Sequence, residues 1–204
     1  MKHIASWALD TARLRGAAYA DVRVADDRQR LLMTKNGKVG HASDSDSLGA
    51  GVRVLADGSW GFAASQDLSK AGVEKAAALA VEVARASAKV KEYEARLVGE
   101  VPAVDEWASP CEIDPFAMPV EDHLALLLQV DGELRAVEGV TFAEAGLHFR
   151  RFEQWFYSSE GADLHQTRHT TGAGFAVYSF AGNELQKRSF PNSFGGQYQN
   201  RGYE

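Results

Sequence analysis

Apolar positions recur along this chain with two different periods, and these periods predict where its helices and strands lie. A helical period at Ala5, Ala8, Leu9 and Ala12 predicts a first amphipathic helix, with Gly16 where a carboxy-terminal cap belongs. A period of two follows, which is typical of strands that bury one face. It predicts an antiparallel meander with strands near 19–33, 38–44, 48–56 and 59–65.

Two dipeptides, Asn36-Gly37 and Asp57-Gly58, predict the tight turns of this meander, because both adopt positive φ angles readily. Trp60 and Phe62 share a strand face and are predicted to lie in the core. Ser69 is the predicted N-cap of a second helix that covers one face of the sheet. The apolar stripe of that helix consists of Val73, Ala76, Ala77, Ala80, Val83 and Ala84.

The second half repeats this plan after a stretch without clear periodicity. Residues 91–119 hold four of the five prolines and are predicted to form a linker. A third helix ending near Gly139 and a second set of strands, from Val140 to Phe194, come next. The helix is marked by Leu127, Val130, Leu134 and Val137, and the first strand by Ala143, Ala145, Leu147 and Phe149.

The predicted fold class is therefore α+β, with antiparallel β-meander sheets packed against amphipathic helices in two successive helix-plus-sheet units. The predicted domains are residues 1–90 (helix, meander, helix) and residues 120–204 (helix and strands), joined by the linker 91–119. No residue-level repeat relates the two units.

Composition narrows the function classes. The 22 basic residues are scattered in a chain of net charge −6, which argues against nucleic-acid binding. No apolar run is long enough for a membrane helix, and residues 1–15 do not read as an export signal. The lone Cys111 allows no intramolecular disulfide and has no evident activating base. We therefore expect a cytoplasmic chain with an inert thiol.

The histidines do not predict a metal site. His165 and His169 are four residues apart, which would suit zinc on a helix, but the surrounding threonines favour a strand. Four strand residues span roughly 13 Å, too far for two nitrogens that must each lie about 2.1 Å from one zinc. We expect two exposed strand histidines.

Other short motifs also fail as catalytic or binding signatures. Asp44-Ser45-Asp46 begins like a calcium loop but lacks the later oxygen ligands. Residues 49–51 and 172–174 are Gly-Ala-Gly runs that no helix follows, so they predict close backbone approaches within strands. Arg53, between two valines, is predicted to lie on a solvent-facing strand surface. The residues alone predict no catalytic centre.

Several longer segments resemble the TldD/PmbA family. Residues 46–65, with the alanine-rich helix that follows, and the strand at 19–24 are similar to its amino-terminal domain. The segments 155–161, 166–168, 171–174, 188–196 and 202–204 are similar, in order, to those that precede the catalytic region of TldD-type members. The resemblance covers nearly the whole chain.

This resemblance implies a zinc metallopeptidase acting on peptides or unstructured polypeptides, as a homodimer or as a heterodimer with a non-catalytic PmbA-type subunit. Its zinc would be held by a His-Glu-x-x-x-His helix beyond residues 202–204. No residue here matches that motif, and family chains are roughly twice as long, so we expect this chain to be truncated before the catalytic domain and inactive alone. Zinc is expected in the full-length protein, with no ligand or catalytic residue in this chain.

This chain would supply scaffold and substrate channel. The candidate substrate-binding residues lie nearest the missing motif, where glycines and polar side chains let a peptide backbone approach: Asn192, Ser193, Phe194, Gly195 and Gly196. A plain strand-exit turn explains this run equally well.

Two other functions stay open. The chain can belong to a PmbA-type partner that never carried the metal motif, or to an interaction protein acting on DNA gyrase, since some family members carry the name modulator of DNA gyrase.

Overall fold

The computed structural model describes residues 1–99, 101–191 and 197–204. The described residues form an α+β fold of three helices and eight strands, as the sequence predicts. Among these helices, none has the length and apolar character that a membrane crossing requires. In chain order the elements are α1 (Lys2–Leu14), β1 (Tyr19–Lys35), β2 (Lys38–Ala56), β3 (Ser59–Ser65), α2 (Lys70–Ala88), β4 (Val104–Ala108), α3 (Val120–Arg135), β5 (Phe142–Ser158), β6 (Asp163–Ala181), β7 (Glu184–Phe190) and β8 (Gln197–Gln199).

The strands follow the order β3-β2-β1-β5-β6-β4, and β7 and β8 also pair with β6. β2 and β3 are antiparallel, from Ala50 opposite Ser65 to Ala56 opposite Ser59. β4 runs parallel to β6, with Glu106 opposite His165. The predicted linker thus contains a strand.

The turns and the first helix end as predicted. Asn36 and Asp57 have φ angles of 47° and 51°, and each is followed by a glycine with positive φ. α1 ends before Gly16, whose φ is 83°. Such angles cost glycine and asparagine little, which is why these residues mark the reversals.

The predicted break between strands 38–44 and 48–56 is wrong, because β2 runs through it without interruption. Residues 38–48 are all exposed, so no buried side chain imposes the alternation by which a strand is recognised in a sequence.

The described chain divides into two compact units that interleave in sequence. Unit 1 comprises residues 1–26, 47–108 and 153–167, and unit 2 comprises residues 27–46, 109–152 and 168–204. The long strands β1, β2, β5 and β6 contribute to both. The domain boundaries at residues 90 and 119 stay a prediction.

In unit 1, α1 and α2 pack on the sheet face formed by residues such as Val22, Val52 and Val54. Ser69 caps α2 as predicted, since its side chain accepts a hydrogen bond from Gly72 N at 3.2 Å. Val83 of the predicted stripe is 38% exposed. The side chains of α2 that are buried are Val73, Ala76, Ala77, Ala80, Val81 and Ala84.

The predicted burial of Trp60 and Phe62 is wrong, because their side chains are 36% and 58% exposed. The intervening positions face the helix instead: Ala63 is buried, and a β-carbon on Gly61 would meet the backbone of α2. Both strand faces have apolar positions here, and the glycine rather than the aromatic rings marks the side that α2 approaches.

The core of unit 2 gathers residues from β1, α3 and β5. The predicted alternation in β5 is confirmed, since Ala143, Ala145, Leu147 and Phe149 are all buried. Of the predicted α3 stripe, Leu127 is buried, whereas Val137 lies beyond the helix and is 58% exposed.

His123 of α3 is a buried titratable group in this core. Its ring lies 4.7 Å from the ring of Phe149 and 5.0 Å from that of Tyr203, measured between centroids. Neither ring nitrogen has a hydrogen-bond partner among the described residues. Burial, reinforced by the charge of Arg30, lowers the pKa of His123.

We expect the free energy of unfolding to decrease below about pH 6.5, where the unfolded chain protonates its histidines while native His123 stays neutral. The stabilisation is complete above that pH and is lost as the pH falls towards the folded-state pKa. The slope approaches about 1.4 kcal/mol per pH unit for one proton. Denaturant unfolding at a series of pH values measures it.

His123→Phe removes this contribution and should flatten the slope. The slope due to His148 remains, since burial lowers the pKa of that side chain too. An unchanged slope in the His123→Phe variant contradicts the prediction.

Candidate functional site

The five candidate substrate-binding residues, Asn192, Ser193, Phe194, Gly195 and Gly196, lie outside the described residues. The residues on either side of them are described. β7 ends at Phe190, which pairs with Phe175 of β6, and β8 begins at Gln197, which pairs with Ala173. The described residues that flank the candidate segment therefore pair with one short stretch of β6.

Two cavities of about 350 Å³ each adjoin at this stretch, and we call them together the β6 groove. They share the lining residues Gly174, Phe175, Phe190 and Pro191. Apolar surface predominates in both. The second, which we call the polar half, is lined by a larger share of polar and charged residues than the first, which we call the apolar half. Further residues line the first at Leu31, Met33, Leu147, His148 and Tyr198, and the second at Thr171, Gln197, Gln199, Arg201 and Glu204.

Tyr198 covers Gly172 in the apolar half of the β6 groove. A β-carbon on Gly172 would overlap the phenol ring of Tyr198, so the group that approaches this glycine closely is a side-chain ring and not the backbone predicted for residues 172–174. The same ring packs edge-on against His148, with centroids 5.7 Å apart. The contact with the His148 ring therefore holds the Tyr198 ring against the backbone of Gly172.

Hydrogen bonds fix the polar half. Thr171 Oγ1 donates to the carbonyl oxygen of Gly202 at 2.7 Å. The Glu204 carboxylate accepts from Ile113 N at 3.2 Å and Gly202 N at 3.1 Å. Backbone amides, first its own and then that of Ile113, together with Arg201, lower the pKa of Glu204 to about 2. A fixed negative charge therefore lines this half.

His165 and His169 lie on β6, as predicted, but both are half-buried rather than exposed. His165 Nδ1 is 3.0 Å from Glu106 Oε1, and its Nε2 is 2.8 Å from Glu153 Oε1. Its ring stacks on Trp155, with 4.9 Å between centroids. The carboxylates and the stacked ring explain its burial.

These contacts do not fit a zinc site. Both nitrogens of His165 lie at direct hydrogen-bonding distance from a carboxylate, whereas a zinc ligand needs one nitrogen free for the ion. Within residues 1–99, 101–191 and 197–204, no group of three histidine, cysteine or acidic side chains has the geometry to hold a metal.

The other sequence motifs have structural roles. Asp44 belongs to β2 and accepts hydrogen bonds from Arg28 and Arg30. Burial, and then the charges of Asp114 and Glu204, raise the pKa of Cys111, which agrees with an inert thiol.

Sequence reasoning missed the residues that form most of the groove. Tyr198, Phe190 and Leu31 come from three different strands, and only strand pairing brings them together. The available signal was the glycine pair 172 and 174, which indicates a close approach but not the approaching group.

Comparison with known proteins identifies sequences that are similar to this chain. Residues 20–84 match the family model described as PmbA/TldA metallopeptidase domain 1. A metalloprotease of Methanocaldococcus jannaschii is 27% identical over 110 residues, which are 54% of this chain and 24% of that protein. A metalloprotease of Methanothermobacter thermautotrophicus is 24% identical over 152 residues, 74% of this chain and 32% of that protein. The chain thus spans about a third or less of these relatives.

Solved structures share the fold at low sequence identity. A protein from Bacteroides thetaiotaomicron named as a modulator of DNA gyrase superposes with a TM-score of 0.77 at 15% identity, over 92% of this chain and 43% of that one. TldE from Thermococcus kodakarensis superposes with a TM-score of 0.67 at 14% identity, over 89% of this chain and 40% of that one. The domain match, the metalloprotease relatives and the common fold confirm the resemblance of this chain to the amino-terminal portion of TldD/PmbA proteins.

Proposed function

We propose that this chain is the scaffold and substrate-channel portion of a TldD-type zinc metallopeptidase that acts on peptides or unstructured polypeptides. Zinc and its ligands belong to the part of the longer protein that carries the His-Glu-x-x-x-His helix. The groups in this chain contact the polypeptide and hold it. We further propose that the protein works in the cytoplasm as a homodimer, or as a heterodimer with a PmbA-type subunit.

The β6 groove is the observation that carries this proposal. Peptidases of broad specificity bind the main chain of an extended substrate and accept varied side chains. A groove with an apolar half and a polar half, whose lining includes Pro191 and Gln197, suits such a substrate.

We expect the chain to bind unfolded polypeptide in this groove and Gly172→Ala to weaken that binding several-fold. The added β-carbon displaces the ring of Tyr198 into the cavity, which removes volume the ligand needs. Fluorescence anisotropy with a labelled, reduced and alkylated polypeptide measures the affinity. Tyr198→Leu provides a second variant. It shortens the side chain at residue 198 and leaves Gly172 of β6 unchanged.

Gly132→Ala is the matched control, because a β-carbon at this position of α3 meets nothing within 4 Å. It should leave polypeptide binding unchanged. Equal affinity for the control and both groove variants contradicts the proposed location of the channel.

The proposal also implies that this chain alone binds no zinc in stoichiometric amount and cleaves no peptide. Metal analysis and a peptide digest examine this directly, and chelator-sensitive cleavage by the isolated chain contradicts it. The alternative of a non-catalytic PmbA-type subunit shares this expectation. Sequence downstream of residue 204 separates the two, because a His-Glu-x-x-x-His motif there is expected only for the TldD type.

A further inference from the structure

The sheet of unit 1 has a second face, opposite α1 and α2, and its side chains differ from those of the core. Along β1, Ala20, Val22 and Val24 belong to the core under the helices. The alternate positions Tyr19, Asp21 and Arg23 point to the other side. Arg53 of β2 and Trp60 and Phe62 of β3 lie on the same side, which we call the aromatic face.

A buried carboxylate organises two arginines on the aromatic face. Asp21 is 1% exposed, and its Oδ2 accepts hydrogen bonds from Arg53, with Nη2 at 2.6 Å and Nε at 2.8 Å. Arg23 Nη1 lies 3.6 Å from Oδ1 of the same carboxylate. The single negative charge of Asp21 therefore faces two positive charges. It is closer to Arg53 than to Arg23, so the positive charge of Arg23 is the less compensated of the two.

Stacking holds each guanidinium in place. Arg53 lies over the ring of Trp60 at 4.7 Å and Arg23 over the ring of Phe156 at 5.0 Å, each measured to the ring centroid. The Arg23 side chain nevertheless remains 45% exposed. Its charge is thus fixed in position and accessible, and binding to it costs little side-chain entropy.

Arg23 stands at the border of a groove of about 550 Å³ on the aromatic face. Arg23 is the only charged side chain among the described residues that line this groove. The exposed ring of Phe62 forms another part of its wall, lying on Gly51, where a β-carbon would come within 3.0 Å of the ring. Side-chain amides of Gln66 and Gln154 add donors and acceptors for a peptide backbone.

We propose that this groove binds an acidic segment of a partner polypeptide, with a carboxylate paired to Arg23 and an adjacent apolar side chain packed on Phe62. Charge decides the kind of partner: a single fixed positive charge beside an exposed aromatic ring matches one carboxylate next to an apolar residue. A nucleic acid needs a row of cations, which this lining lacks. The proposal stands apart from the peptidase channel, because all its residues belong to unit 1.

Fluorescence anisotropy tests the proposal with a labelled peptide in which glutamate and phenylalanine alternate, compared with the same peptide carrying lysine for glutamate. We expect the glutamate peptide to bind and the lysine peptide to bind at least tenfold more weakly. Arg23→Gln should weaken the glutamate peptide roughly tenfold, as expected for loss of a charged hydrogen bond. Arg23→Lys should restore part of the affinity, and Phe62→Ala should weaken binding while leaving the preference for glutamate.

Arg13→Gln is the matched control, because it removes one positive charge from an exposed side chain of α1, away from the aromatic face. It should change nothing. Circular dichroism checks that every variant is folded, and Phe62→Leu replaces Phe62→Ala if the latter is not.

Any of four outcomes overturns the proposal. The first two are that the two peptides bind equally and that Arg23→Gln binds the glutamate peptide like the parent chain. The third is that a single-stranded oligonucleotide competes for the groove. The fourth is that sedimentation shows a self-associated chain that Phe62→Ala dissociates, which would make a second copy the occupant.

Discussion

Gly61→Ala is expected to destabilise the chain by about 3 kcal/mol or more, because overpacking against a rigid element cannot be relieved by a change of rotamer. A β-carbon at residue 61 would lie 2.5 Å from Ala84 N and 2.9 Å from Ala84 Cβ, and it would overlap the carbonyl oxygen of Ala80. Two of these three contacts are backbone atoms of α2. The helix would have to move away from β3, which would open the alanine-rich contact between them.

Denaturant unfolding of Gly61→Ala and the parent chain measures this effect. The control Gly132→Ala should be neutral or stabilising by about 0.5–1 kcal/mol, since alanine favours a helix and the site is open. The double variant Gly61→Ala with Ala84→Gly distinguishes backbone from side-chain contact. It should recover little stability, because the backbone of α2 still stands in the way. Full recovery, or a cost for Gly61→Ala below that of a surface substitution, contradicts the close-approach argument.

Asp131→Ala is expected to cost about 3 kcal/mol, because it removes a buried carboxylate that satisfies two donors. Asp131 of α3 is fully buried, and its Oδ1 accepts hydrogen bonds from Gly37 N at 2.6 Å and from Arg135 Nε at 2.7 Å. The first bond fastens the turn between β1 and β2 to α3. Its loss leaves a turn amide without its partner and a cavity in place of the carboxylate.

The same unfolding experiment measures this cost, with Asp10→Ala as the control. Asp10 also bonds to an arginine of its own helix, Arg13 at 3.0 Å, but 61% of its side chain is exposed. The control should lose less than about 0.5 kcal/mol, as exposed ion pairs do. Asp131→Asn should fall between the parent chain and Asp131→Ala, since it keeps an acceptor for Gly37 N without the charge. Similar costs for the buried and exposed aspartates would show that Asp131 does not fasten the turn.

Local patterns in the sequence were sufficient to predict the helices, the two hairpin turns and the alternation in β5. Each depends on neighbours within a few residues: Ser69 caps a helix that starts one residue later, and Asn36-Gly37 reverses the chain by its own φ angles. These features follow from backbone sterics and hydrogen bonding at short range.

Long-range pairing decided the features that the sequence did not reveal. β4 has five exposed residues and no alternation in burial, so nothing local distinguishes it from a linker. It is a strand because residues 163–167 provide a parallel partner. Likewise, Trp60 and Phe62 are apolar enough for a core, and the position of α2 determines that the opposite face is buried.

In the candidate site, too, local sequence reveals some features and long-range strand pairing decides the others. Glycines 172 and 174 indicated a close approach, but the identity of Tyr198 as the approaching ring depends on the pairing of β8 with β6. The charged pair of Asp21 and Arg53 spans 32 residues and joins two strands, so no spacing rule could have found it.

The exposed half of β2 raises a question of register, since its residues 41–47 are small or polar and bury nothing. A strand without a buried face gains nothing from one alignment over the next, and such strands slip. Here Arg28 and Arg30 of β1 both donate to Asp44, at 3.1 and 2.8 Å, and the Arg30 side chain is only 5% exposed. A shift by one residue would carry Asp44 to the other side of the sheet and leave the buried guanidinium of Arg30 without its carboxylate partner. This ion pair therefore selects the alignment of the hairpin where hydrophobic burial cannot.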